Sequence, residues 1–499
     1  MNLYDFFLSR MPEDRSRPFL ELPDGGAISY AEIDMRSGRL ASMLMILGVR
    51  PSDRVAAQVD KSADALLLYL ACLRAGAVYL PLNLAYTPAE VRYFLEDAEP
   101  ALFLCRAADR GVMQTLGDEI GVPHVLTLEA LVESAAEAPA RFVNAPRADD
   151  DLAAILYTSG TTGRSKGAML THANLRSNCE VLAELWRFTS QDRLLHALPI
   201  FHTHGLFVAT NVTLAAGGSM ILLPRFEAAE VLRLLPNATT MMGVPTFYTR
   251  LLAEPAFDRA LVADMRLFIS GSAPLTAETH KAFEARTGHR ILERYGMTET
   301  NMITSNPYDG ARVAGTVGYA LPGVAIRLAD QESGEVVTGE VGVVEVRGPN
   351  VFKGYWRMPE KTAAEFRTDG YFITGDLGEI APDGRLTLVG RAKDLIISGG
   401  LNVYPAEVEA AIDPLPGVAE SAVIGLPHAD FGEAVVAVVV RSGATDEAAI
   451  VGALAGALAR FKQPKRVVFV DELPRNTMGK VQKNALRETY RDLFAEVSA

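Results

Sequence analysis

The chain predicts a layered α/β fold: one large multi-layer N-terminal domain followed by a smaller α+β C-terminal domain. Three observations carry that reading. Apolar runs of strand length alternate with helix-like segments through most of the 499 residues, as expected for largely parallel sheets with helices between their strands. From about Val324 the pattern becomes strand-rich and is broken by Asp-Gly turns, which predicts a small antiparallel or β-barrel-like subdomain. Past a boundary at 391–394 the rest alternates helix and strand over about a hundred residues, enough for a compact domain.

In chain order, the runs at 54–58, 101–105, 219–223 and 266–270 read as buried strands. The long apolar stretch 63–80 is interrupted by Arg74 and Gly76. It is therefore expected as a buried helix followed by a strand at 77–80, not as a membrane span. Runs at 341–346 and 385–389 supply the strand-rich part. Beyond the boundary, 406–412 and 447–459 read as helices, and 419–424, 434–440 and 466–470 as strands. The domains are expected at 1–392 and 393–499.

Composition narrows the function classes. Forty-eight basic against 61 acidic side chains give a net charge of −13, which disfavours a nucleic-acid or anionic-membrane surface while leaving room for a local basic pocket. The three cysteines, Cys72, Cys105 and Cys179, are widely spaced, so a reducing compartment fits better than a disulfide framework. No secretory or transit signal is read at the acidic start, and a cytoplasmic enzyme is expected.

The most informative segment is Tyr157-Thr-Ser-Gly-Thr-Thr-Gly-Arg-Ser-Lys-Gly167. Thr158, Ser159, Thr161 and Thr162 bring hydroxyl donors, and Gly160 and Gly163 let backbone N–H groups approach an anion. Lys166 adds a point charge. The segment stands between the apolar, strand-like run at 152–156 and a helix-like segment, and departs from the usual nucleotide loop, G-x-x-x-x-G-K-[ST]. Phosphate binding is the functional reading, and a flexible polar linker is the alternative.

Further motifs follow in order: Arg294-Tyr-Gly-Met-Thr-Glu299, Tyr371-Phe-Ile-Thr-Gly-Asp376, Gly390-Arg-Ala-Lys-Asp394, Ser398-Gly-Gly400 and Pro474-Arg-Asn-Thr-Met-Gly-Lys480. Singly, each has a structural explanation. Asp376 could cap a turn, Glu299 could start a helix, and Lys480 could be a solvated lysine. Together and in this order they closely resemble the acyl-adenylate-forming superfamily, which includes acyl-CoA synthetases, peptide-synthetase adenylation domains and firefly-type luciferases.

The resemblance implies ATP, Mg²⁺ and coenzyme A. The segment Thr158–Lys166, with Ser159, Gly160, Thr161, Thr162 and Gly163, would hold the β- and γ-phosphates. Thr298 would contact the α-phosphate, and Glu299 would bind Mg²⁺, which suits a carboxylate. Asp376 and Arg391 would take the ribose, and Tyr295 would stack on adenine. Lys480 would bridge the substrate carboxylate and the α-phosphate, placing a cation where charge accumulates.

For the thioester step the resemblance implies a mobile C-terminal domain. It would rotate about Lys393, withdraw Lys480 and bring Ser398, Gly399 and Gly400 to the pantetheine path. Arg460 and Lys462 are candidates for the CoA phosphates, with a solvated basic turn as the alternative. In some relatives the lysine matching Lys480 is acetylated, so a lysine acetyltransferase is an implied partner.

The acid is read from two arginines. Arg294 stands where the superfamily commonly has a small residue, and Arg250 ends Gly243-Val-Pro-Thr-Phe-Tyr-Thr-Arg250. Beside an alkyl or aryl tail a buried guanidinium would be unpaired, at about 3–5 kcal/mol. Facing a second carboxylate it is matched bidentately. The alternative is pairing with a protein acid such as Glu293. His202, within Phe201-His-Thr-His-Gly205, could add a contact. These stretches resemble bacterial malonyl-CoA synthetases, which implies malonate, with methylmalonate as a second substrate and Ser272 as a further carboxylate donor. A ligase for another short acid, or an enzyme loading a carrier protein, stays open at this point.

Overall fold

The computed structural model describes residues 1–158, 165–398, 401–428, 431–455, 457–476 and 479–494. The expectations placed on Ser159, Gly160, Thr161, Thr162, Gly163, Gly399 and Gly400 lie outside those residues.

Two large sheets form the body of the N-terminal part. A seven-stranded sheet runs Gly354–Tyr355, Lys166–Thr171, Leu152–Thr158, Val78–Pro81, Arg54–Gln58, Leu102–Cys105, Val125–Thr127, and its last five strands are parallel. A nine-stranded sheet has a parallel centre made by Leu292–Met297, Leu267–Ser270, Thr240–Gly243, Arg193–His196, Ser219–Leu222 and Pro18–Glu21. Its central strands are buried throughout, because parallel sheets are covered on both faces and their strands read as continuous apolar runs.

The apolar stretch at 63–80 divides as its sequence requires. Ser62 caps the helix Ala63–Ala75 by accepting from the Ala65 N–H. Gly76, at φ 71°, ends it, and Val78–Pro81 follows as a strand.

The strand-rich segment forms a five-stranded antiparallel sheet, in which Phe372–Ile380 pairs with Leu386–Arg391. The chain then turns at Ala392–Asp394 and enters a separate sheet built from Ile396–Ser398, Leu401–Val403, Val418–His428, Gly432–Arg441 and Arg466–Val470. Helices Pro405–Ile412 and Glu447–Leu454 bury Val408, Ile412, Ile450 and Leu454 on one face of it. Helix Lys483–Thr489 buries Leu486 on the other.

One local expectation is corrected. The segment after Leu152–Thr158 leads into a second strand, Lys166–Thr171, antiparallel to the first, and the helix His172–Leu185 begins only after it. Lys166 therefore opens a strand, and no helix N-terminus stands directly behind it. The run Gly167-Ala-Met-Leu170 lies inside the sheet because Gly354–Tyr355 covers its other edge.

Candidate active site

The expected site residues gather at the carboxyl ends of parallel strands, where open α/β sheets place their ligands. Those expected to meet the acid stand on the strand Leu292–Met297 and on the turn after Leu267–Ser270. Arg294 is 3% exposed, and its Nε and Nη2 are buried without a hydrogen-bond partner among the described residues. Neighbouring residues on a strand face opposite ways, so Glu293 cannot reach it. The Glu293 carboxylate instead accepts from the Leu275 N–H at 3.3 Å, and burial pushes its pKa up to about 8. Burial also lowers the Arg294 guanidinium to about 9, so it stays charged at neutral pH.

Around Arg294 stand neutral donors. Ser272 holds φ 71°, a left-handed conformation that a serine rarely adopts, and its hydroxyl lies 3.2 Å from His204 Nδ1. His204 Nε2 is buried and unpaired. His202 Nδ1 accepts from the His204 N–H at 3.4 Å. Burial, then the nearby Arg294 and Lys480, lowers the His202 imidazole to about 4. The same neighbourhood keeps His204 neutral.

Arg250 corrects the expectation of a buried pair. It ends the helix Pro245–Ala253 on the exposed side, because the buried face is set by Tyr248 and Leu251. It lies one turn beyond Thr246, whose Oγ1 faces Gly479 of the C-terminal domain. Arg250 therefore stands exposed on the side toward the C-terminal domain, and of the two arginines it is Arg294 that is buried.

At the nucleoside end, Tyr295 donates to Asp376 Oδ2 at 2.5 Å, and Arg391 Nε lies 2.8 Å from Asp376 Oδ1. Asp376 and Arg391 are register partners across one hairpin, which explains how residues 15 apart meet. The Asp376 charge raises the Arg391 pKa, against the lowering effect of burial.

Lys480 is solvent-exposed on the C-terminal part. Crowding by protein, then the Arg391 charge, lowers its ammonium to about 8. Arg391, Asp376 and Lys393 all act on it, so the C-terminal lysine faces the Asp376–Arg391 pair.

At the phosphate end, Thr158 Oγ1 donates to Glu299 Oε1 at 3.3 Å, and Tyr355 Oη lies 3.1 Å from the same oxygen. Glu299, 5% exposed, sits on the turn joining Leu292–Met297 to Asn301–Ser305 and does not start a helix. Thr298 is half-buried on that turn. Lys166 lies 3.0 Å from Glu365 and 4.1 Å from the centre of the Tyr355 ring.

Among the described residues no group of three or more His, Cys, Asp or Glu could hold a metal ion. Mg²⁺ needs less, since it takes one or two carboxylates and fills its shell with water and phosphate oxygens. Glu299 fits: it is a buried carboxylate with hydroxyl partners and no ion pair among the described residues.

On the thiol side Ser398 is buried at a strand end paired with Gly432. Arg460 is exposed, whereas Lys462 is held by Glu407 at 2.6 Å. Lys393 lies in the interdomain turn, and Arg487 bonds the adjacent Asp394 at 2.7 Å.

Sequence reading missed Glu365 and Tyr355. The only signal was the Gly-Tyr-Trp run at 354–356, whose strand character shows once its partner is known.

The AMP-binding enzyme family matches residues 9–356, and the AMP-binding enzyme C-terminal domain matches 407–480. The chain belongs to the AMP-binding enzyme family. Among curated relatives, a malonate–CoA ligase of Arabidopsis thaliana is 34% identical, over 94% of this chain and 86% of its own. A feruloyl-CoA synthase of an Amycolatopsis species is 37% identical, over 93% and 94%. Among solved structures, ATP-bound MatB of Rhodopseudomonas palustris is 57% identical over 99% of both chains, at a TM-score of 0.97. Its apo form, 58% identical over the same shares, superposes at 0.86. The two domains of this AMP-binding enzyme are thus arranged as in the ATP-bound relative.

Proposed function

We propose that this chain is an AMP-forming ligase that joins malonate to coenzyme A through a malonyl-adenylate, and that Arg294 selects the acid. One observation carries the choice: a buried guanidinium with two nitrogens that find no hydrogen-bond partner, and on which no acid acts, among the described residues. A monocarboxylic acid leaves that charge stranded. A short dianion pairs with it, while its other carboxylate stays free to react. His204 and Ser272 add neutral donors to the same end.

ATP would lie with its ribose on Asp376 and Arg391, its adenine by Tyr295, its α-phosphate at Thr298 and its terminal phosphates at Lys166. The free carboxylate of malonate attacks the α-phosphorus and pyrophosphate leaves. Lys480 stands between carboxylate and phosphate and screens two anions that would otherwise repel. Mg²⁺, when bound, would neutralise charge on the phosphate oxygens, and Glu299 would hold it. His202, kept neutral, orders the pocket without competing for the carboxylates.

The thiol of CoA then attacks the acyl carbon, and AMP departs. That step needs Lys480 out of the way, which is why rotation about Lys393 toward Ser398 belongs to the reading. Lys480 is solvent-exposed, as acetylation by a partner enzyme would require. Methylmalonate presents the same two carboxylates and is the expected second substrate.

The test is AMP release with malonate, methylmalonate, succinate, acetate and benzoate, with and without CoA. Malonate should exceed acetate and benzoate by about a hundredfold or more in kcat/KM. Comparable turnover of acetate and malonate would end the assignment of the acid.

A further inference from the structure

The phosphate lysine is already paired. Lys166 is 7% exposed, its ammonium lies over the Tyr355 ring, and its carboxylate partner is Glu365 at 3.0 Å. Nothing in the adenylation chemistry requires Glu365. We propose that Glu365 is a stand-in anion, one that holds Lys166 in the nucleotide-free enzyme and gives it up when the terminal phosphates arrive. The proposal rests on the reading of Lys166 as a phosphate ligand.

Three features fit an exchange better than a fixed pair. Glu365 has other partners: Lys361 lies 2.8 Å from its Oε1, and the Tyr355 hydroxyl donates to its Oε2 at 2.6 Å. It can release Lys166 without becoming an isolated buried charge. Its position is set by the chain around it. It follows the short helix Pro359–Ala364, and the Tyr355 N–H donates to Thr362 Oγ1 at 2.9 Å. Tyr355 in turn pairs with Ala168 on the strand that Lys166 opens.

The third feature is the phenol's single proton. Tyr355 Oη lies 2.6 Å from Glu365 and 3.1 Å from Glu299. It can donate to one of them only. With the shorter bond going to Glu365, that carboxylate is stabilised when Lys166 leaves.

The consequence is a lower affinity for nucleotide and a matching ease of pyrophosphate departure, since the carboxylate retakes the lysine as the anion leaves. The test measures the KM for ATP at saturating acid and CoA, and the Ki of pyrophosphate, in E365Q, K361M, K166A and K166A/E365Q. E365Q should lower both constants about two- to tenfold. K361M should raise both about two- to fivefold, because Glu365 then depends more on Lys166.

In the K166A background E365Q should change neither. An unchanged or raised KM for ATP in E365Q, or a fall in K361M, overturns the exchange. If E365Q does not fold, K361M alone decides. If K166A moves neither constant, the reading of Lys166 itself fails, an outcome separable from failure of the exchange.

Discussion

The guanidinium of Arg294 occupies the space a side chain at Gly271 would need: a Cβ there would come within 2.4 Å of Arg294 Cζ and 2.5 Å of Nη1. Gly271 is thus the bed on which the charge proposed to select the acid lies. Gly271→Ala forces the guanidinium aside, and overpacking of this kind costs about 1–3 kcal/mol. The KM for malonate should rise about tenfold or more while the KM for ATP stays within about twofold, read by initial rates of AMP release. Equal change in both would show a general loss of fold.

The two arginines should separate on substitution. Arg294→Gln should lower kcat/KM for malonate about a hundredfold or more, because the buried position loses its charge. Arg250→Ala, at an exposed and solvent-screened position, should cost about tenfold or less. A larger loss at Arg250 than at Arg294 would mean the acid binds nearer the domain interface.

Lys480 should divide the two half-reactions. Lys480→Ala should abolish adenylate formation, measured by pyrophosphate exchange, and leave conversion of supplied malonyl-AMP to thioester. The ammonium titrates at about 8 and acts in its charged form. The kcat/KM for adenylation is therefore full below that pH and falls as pH rises through it. The thioester half-reaction should lack this limb.

Glu293 predicts a stability effect. Its carboxyl is raised to about 8 by burial, against an unfolded value near 4.5. The folded chain keeps a proton that the unfolded chain gives up, so this group's contribution is full below about pH 4.5 and declines up to about pH 8. Glu293→Gln never ionises. Its melting temperature relative to the parent should rise between pH 5 and pH 8, and scanning calorimetry at the two values checks it.

Much of the architecture was legible because it lies in local pattern. Buried parallel strands read as apolar runs, and the helix ending at Gly76 announced its own stop. Within the site, legibility followed sequence distance. Asp376 and Arg391 are close in the chain and share a hairpin. Glu365 lies 199 residues from Lys166, and no local pattern joins them. The orientation of Arg250 was lost for another reason: its helix face is decided by which neighbours the core takes, and Tyr248 and Leu251 claimed the inner side. Lys166 was misread as leading to a helix because its strand is recognisable only beside Gly354–Tyr355.

The rung Asp376–Arg391 is the last of its hairpin, and the proposed pivot at Lys393 follows two residues later. In the proposed reaction the smaller domain swings forward with the adenylate's nucleoside still lodged on that rung, and the rung would empty only when AMP leaves. Turnover would then be timed by the departure of AMP, with the same arginine serving as clasp for the product and as brake on the return stroke.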